Sequence, residues 1–330
     1  SNSANIGWTV STAANSAVDG GGVYLTGAGT TLTMNDDSGV QYNTASADGG
    51  GIYATGGASV IIDSALVNYN QAAARGGGMM VDTSATVNIQ NGATLNSNQA
   101  TGGAALGGGL YVLGDSATVT LNASQVNSNV SAYWYGGLRL FGASTIALSG
   151  GTINSNQAQG GSGGGVSASQ GTININDAVI QSNTANVNGG GIHMDSGALT
   201  VTNPDIRYNH ATSGSGGGIY RLGGTLTLSA NTATSYVAVN TAGADGGGIY
   251  DSSGVTLILR ALNAYRLNVN SNQAGVNGGG IYATAGTFVD AYGWIQMTSN
   301  VAGSNGGAVY LMRRQANEWR LLAVVRSWGS

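Results

Sequence analysis

The sequence predicts an all-β fold, a parallel β-helix of about eleven coils with three short strands in each. Three periodic features predict it. A glycine cluster followed by an aliphatic residue recurs at Val23, Ile52, Met79, Leu110, Leu138, Val166, Ile192, Ile219, Ile249, Ile281 and Val309, in steps of 26 to 32 residues. An asparagine precedes each cluster, at Asn15, Asn43, Asn70, Asn98, Asn129, Asn156, Asn183, Asn209, Asn240, Asn272 and Asn300. Three residues before ten of these stands an apolar side chain, from Val40 and Val67 to Val269 and Met297, and two residues after most of them stands alanine. Repeats of this length are the mark of a solenoid, in which each unit buries its apolar face only by stacking on its neighbours.

Each unit divides in the same way. The first strand begins at the glycine cluster. The second is an alternating stretch, such as Leu32/Met34, Val87/Ile89 or Ile173/Ile175, with Thr and Asn between the aliphatics; period-two alternation is a strand with one buried face. The third leads into the asparagine. No segment of ten or more residues is left for a helix. Stacked coils place equivalent residues about 4.8 Å apart, so eleven coils make a rod about 50 Å long. The asparagines are predicted to form one column, bonded amide to amide along the axis. Residues 1–310 read as one repeat domain. Residues 311–330 break the pattern, carry Arg313, Arg314, Trp319, Arg320, Arg326 and Trp328, and read as a cap or a docking segment.

Composition excludes several functions. Of 330 residues 58 are glycine, one is proline, none is cysteine, and only 7% are charged, with a net charge of −4. Glycine comes in clusters rather than at every third position, which excludes collagen. All ten basic residues are arginine, and an acidic chain without lysine is a poor nucleic-acid partner. Without cysteine there are no disulfides, thiolate metal sites or cysteine nucleophiles. No apolar run of 18 residues exists to span a membrane as a helix. No signal-peptide pattern opens the sequence, which reads as a chain with none or with one already removed.

The pairing of a Gly-Gly-small-aliphatic motif with a hydrophobic-x-x-Asn motif resembles the repeats of chlamydial polymorphic membrane proteins. Gly306-Gly307-Ala308-Val309 matches the first motif and Ile180-Gln181-Ser182-Asn183 the second, with Ile for Phe. The resemblance covers about residues 10–310. It implies a right-handed β-helix on a bacterial surface, typically the adhesin-like passenger of an autotransporter. Glycine replaces the alanine in most copies here, and no membrane-barrel segment follows.

Acidic residues are the first candidates for chemistry. Asp19, Asp48 and Asp245 stand just before glycine clusters, where other copies have Asn188, Asn277 and Asn305; the exchange with Asn indicates a turn role. Asp19 with Asp48, or Asp36 with Asp37 and Asp63, are the weak candidates for a Ca²⁺ site; no cofactor is otherwise expected. His193 and His210 fall at outward strand positions and read as surface residues. The stronger candidate surface is aromatic. The residue after the repeat aliphatic points outward by strand alternation, and it is Tyr220, Tyr250, Tyr282 and Tyr310 on four successive coils. With Arg260, Tyr265 and Arg266 in an enlarged coil, and with Trp319 and Trp328, these residues make the candidate interaction surface. The expected function is a non-enzymatic, extracellular or bacterial-surface protein, adhesin-like, that binds proteins or glycans through its outer faces. A structural subunit that polymerises head-to-tail or laterally is the alternative. A polysaccharide lyase or hydrolase is third, since the chain has a single glutamate and no lysine.

Overall fold

A computed structural model describes residues 3–7, 15–36, 38–284, 286–311, 313–315 and 318–320. All regular structure among them is β, and the chain winds as the parallel β-helix expected from the repeats, with the right hand that the resemblance implies. Three eleven-stranded sheets, which make the first, second and fourth faces below, run the length of the rod, every strand pairing in parallel with its equivalent one coil away. The first face holds the strands after the glycine clusters, from Val23–Thr26 to Val309–Leu311. The second holds the alternating stretches, from Ser3–Gly7 to Val289–Tyr292. The third precedes the asparagines; six strands from Thr152–Asn154 to Trp294–Gln296 are continued by single bridges at Thr94 and Gln125. To these three expected strands the structure adds a fourth, two residues long, just after each asparagine, from Ser16–Ala17 to Val301–Ala302. After the last coil, Arg313–Gln315 and Glu318–Arg320 form an antiparallel pair. No helix among the described residues is long and apolar enough to cross a membrane.

The inward positions of the first three faces form one contiguous apolar core, in which Ile52, Val60, Ile62 and Val67 of one coil lie under their equivalents in the next. Each fully buried aliphatic contributes about 1.5–3 kcal/mol. The glycines fit where the first face meets the fourth. In the unit Gly216-Gly217-Gly218 the first glycine is left-handed, at φ 68. A Cβ on the second would lie 2.4 Å from the Thr241 carbonyl oxygen and 2.6 Å from that of Gly247. A Cβ on the third would lie 2.9 Å from the side-chain Nδ2 of Asn240. The last copy has Ala308 at this third position.

The eleven asparagines stand in one column at the corner between third and fourth faces. Ten amide-to-amide bonds of 2.8–3.1 Å join them from Asn15 to Asn300. Asn183 shows the full pattern. Its Nδ2 donates to Asn209 Oδ1 and to the Ile153 carbonyl, and its Oδ1 accepts from the backbone N–H and the Nδ2 of Asn156. All four hydrogen-bonding positions of a fully buried amide are filled. From Ala45 to Ala274 the alanine two residues on is buried in the same corner; the one serine there, Ser131, satisfies its hydroxyl on the Ala105 carbonyl at 3.0 Å.

Candidate functional site

The residues before the glycine clusters make a polar turn column. Asp19 Oδ1 accepts the backbone N–H of Asp48, and Asp245 Oδ1 accepts both the backbone N–H and Nδ2 of Asn277. Arg75 grips Asp48 with Nε on Oδ1 at 3.0 Å and Nη2 on Oδ2 at 2.5 Å, so this carboxylate is already matched by a guanidinium fork. Asp63 accepts from Ser64 Oγ, Asn91 Nδ2 and Gln90 Nε2; the bonds from Gln90 and Asn91 lower its pKa. Asp36 lies in an exposed left-handed turn, and Asp37 lies outside the described residues. Among the described residues no group of three or more His, Cys, Asp or Glu side chains is placed to hold a metal ion.

Tyr220, Tyr250, Tyr282 and Tyr310 occupy one outward column of the first face, in register. Their half-buried rings stack at 4.8, 5.1 and 5.3 Å between centroids, with planes within 3–8° of parallel. His193 continues the stack below Tyr220 at 5.1 Å and 6°. Burial pushes the Tyr220 and Tyr282 phenols up, that of Tyr282 to about 12 with help from nearby Asp245. Every interior ring face of this row is covered by its neighbour, so a partner meets ring edges rather than faces.

The enlarged coil does not join this row. Arg260 is on the second face, where it donates to the Asp290 carboxylate at 2.6 Å and to its carbonyl at 3.0 Å. Residues 262–264 form a short exposed turn, while Tyr265 folds back against the core. Arg266 is on the third face, its guanidinium 3.6 Å above the Trp294 ring. The side chain of Trp319, and Trp328 altogether, lie outside the described residues.

Two charged clusters emerge from register. On the inward column two residues after the repeat aliphatic, Arg221 and Asp251 replace the apolar side chains of the other described coils and pair with each other, both completely buried. On the outward first face, Arg139 and His193 are each only about 4% exposed. His193 therefore is not the surface residue its strand position suggests. Tyr135 explains this. It takes the left-handed place of a first glycine, at φ 64, and its ring lies 3.9 Å from the Arg139 guanidinium and 6.3 Å from the His193 ring. Trp134 beside it packs on the next coil, where a Cβ on Gly161 would come within 2.6 Å of the indole. Arg139 Nη1 donates to Ser167 Oγ at 2.6 Å and reaches Asp195 at 3.4 Å, and His193 Nδ1 is 3.7 Å from Asp195. His210, by contrast, is a partly exposed residue of the fourth face.

Burial lowers the His193 pKa to about 4, against the pull of Asp195 and with the added push of Arg139. The unfolded chain binds this proton below about pH 6.5 and the folded chain only below about pH 4. Stability therefore falls as pH drops through that window and levels beneath it, a loss on the order of 3 kcal/mol. His193→Gln removes this share of the acid loss. Urea midpoints of the parent and the variant at pH 7 and pH 4.5 measure it; an equal drop in both contradicts the assignment.

The signal for these clusters was present in the sequence, as charges at fixed places in the repeat, but only the coil register shows which of them meet. No protein-family model, no curated protein and no solved structure matches the chain.

Proposed function

We propose that the protein is a non-enzymatic, adhesin-like β-helix of an extracellular or bacterial surface, which binds protein or glycan surfaces through its outer faces. The observation that carries this reading is the exterior, where tyrosine, hydroxyl and amide side chains stand in registered columns along a rigid rod. The resemblance of the repeats to those of chlamydial polymorphic membrane proteins supports it. So does the cluster of Ser167, His193 and Asp195: the Ser167 hydroxyl is fully buried and held by Arg139, whereas a nucleophile needs a free base and an open approach.

The test is binding of the purified chain to panels of cells, matrix proteins and immobilised glycans. Tyr250→Ser with Tyr282→Ser removes the middle of the stacked row. Loss of an aromatic contact patch is expected to weaken protein-surface binding about tenfold, with the thermal midpoint shifted by only a few degrees. A parent chain that binds nothing in the panel refutes the binding reading, and ordered polymers in negative stain would replace it with the structural-subunit one.

A further inference from the structure

At the residue before each ladder asparagine the backbone turns left-handed, from Tyr42 at φ 59 to Ser299 at φ 55. Serine fills this position in six coils: Ser97, Ser128, Ser155, Ser182, Ser271 and Ser299. Val239 fills one more, and tyrosine fills three: Tyr208 alone at φ 58, and Tyr42 and Tyr69 on adjacent coils, both at φ 59. A bulky ring in this region is an unfavourable choice where serine suffices. The two rings are 55% and 51% exposed and stack at 5.0 Å and 4°. Unlike the row on the first face, this stack is two rings deep. The next coil sets Ser97 at the equivalent place, so no ring continues the column on the far side of Tyr69.

What surrounds Tyr69 defines its partner. On the third-face side runs an outer amide column: Asn68 Oδ1 accepts the backbone N–H of Asn96 at 2.7 Å, Asn96 Oδ1 that of Asn127 at 2.8 Å, and Asn127 Oδ1 that of Asn154 at 2.8 Å. On the fourth-face side Gln71 and Gln99 are exposed. The corner positions from Gln41 to Asn43, Asn68 to Gln71, Asn96 to Gln99 and Asn127 to Val130 include no charged residue. Nucleic acid stacks on such rings only beside positive charge, and acidic polymers need it too. An uncharged ring face bordered by fixed amides matches a pyranose, whose C–H face is apolar and whose equatorial hydroxyls pair with planar amides. The coil spacing of about 4.8 Å is about the length of one sugar in an extended chain.

We propose that the Tyr42–Tyr69 corner is a carbohydrate platform for an extended neutral polysaccharide. One sugar stacks on Tyr69, and the chain continues along the Asn96–Asn127 column. This deepens the binding reading above and rests on it, while moving the glycan contact away from the first-face tyrosine row.

The experiment is affinity electrophoresis and pull-down with neutral polysaccharides (cellulose, chitin, xylan, mannan, β-1,3-glucan), with alginate and polygalacturonate as acidic controls. Tyr42→Ser with Tyr69→Ser installs the residue that six other coils already use, so the fold is kept; circular dichroism and the thermal midpoint confirm it. The expected result is retention of the parent by at least one neutral polymer, insensitive to salt. The double serine variant is expected to bind about tenfold more weakly or worse, and Tyr292→Ser, which removes an exposed ring of the second face, to bind as the parent does. Three results overturn the proposal: no retention by any neutral polymer, undiminished retention of the Tyr42/Tyr69 variant, or binding only to the acidic polymers. If the parent still binds cells or matrix proteins in those cases, the corner falls and the wider binding reading stands.

Discussion

Asp251→Ala is expected to lower stability by about 3–5 kcal/mol, the range for breaking one side of a buried ion pair. Arg221 is completely buried in the solenoid core. Its guanidinium pairs with Asp251 Oδ2 through Nε at 3.0 Å and through Nη2, and Nη2 also donates to the Val255 carbonyl at 2.7 Å. Backbone carbonyls alone cannot neutralise the charge once the carboxylate is gone. Replacing both residues by leucine, the type found at the same inward place as Leu25 and Leu140, leaves no stranded charge and is expected to cost much less. Urea denaturation of the single and double variants distinguishes the cases. A single variant as stable as the parent would show that the pair is hydrated rather than buried.

Asn183→Leu is the second large effect, expected at roughly 3–5 kcal/mol. The substitution strands the backbone N–H and Nδ2 of Asn156, the Ile153 carbonyl and one bond to Asn209, and each buried group left unpaired costs about 1–3 kcal/mol before relaxation. Asn15→Leu provides the contrast, because Asn15 is exposed at one end of the column and its side-chain amide donates to Asn43 Oδ1. Its loss is expected to shift the urea midpoint only slightly. Equal losses at both positions would mean that the column contributes through side-chain shape rather than through bonds.

The fold was legible because its determinants recur. A residue such as Ile173 or Asn183 sits in phase with ten others, and a period sustained over the whole chain overrides any local ambiguity. The fourth strand escaped notice because two residues, such as Gln71–Ala72, are too few to show an alternation. The site was less legible, since its features depend on which coil lies next to which. Alternation correctly sets His193 on the outer side of its strand, but nothing in the repeat announces that Tyr135, two coils away, covers it. Arg221 and Asp251 are thirty residues apart and become a pair only when register stacks them. The Tyr42–Tyr69 stack likewise becomes visible only when register sets the two rings one above the other on a left-handed corner that six coils fill with serine.

The amide column also has a direction. Every one of its ten links runs the same way, from the Nδ2 of one coil to the Oδ1 of the next toward the C-terminus, and each backbone N–H donates in the same sense. The amide dipoles therefore add head to tail through the interior, each polarising the next. A single reversed amide would set oxygen against oxygen on one side and N–H against N–H on the other, a fault that no neighbour can absorb without reversing as well. The column thus works as a parity check on assembly. A coil inserted or deleted whole passes it and changes only the length of the rod, whereas a coil displaced by even one residue fails it at once.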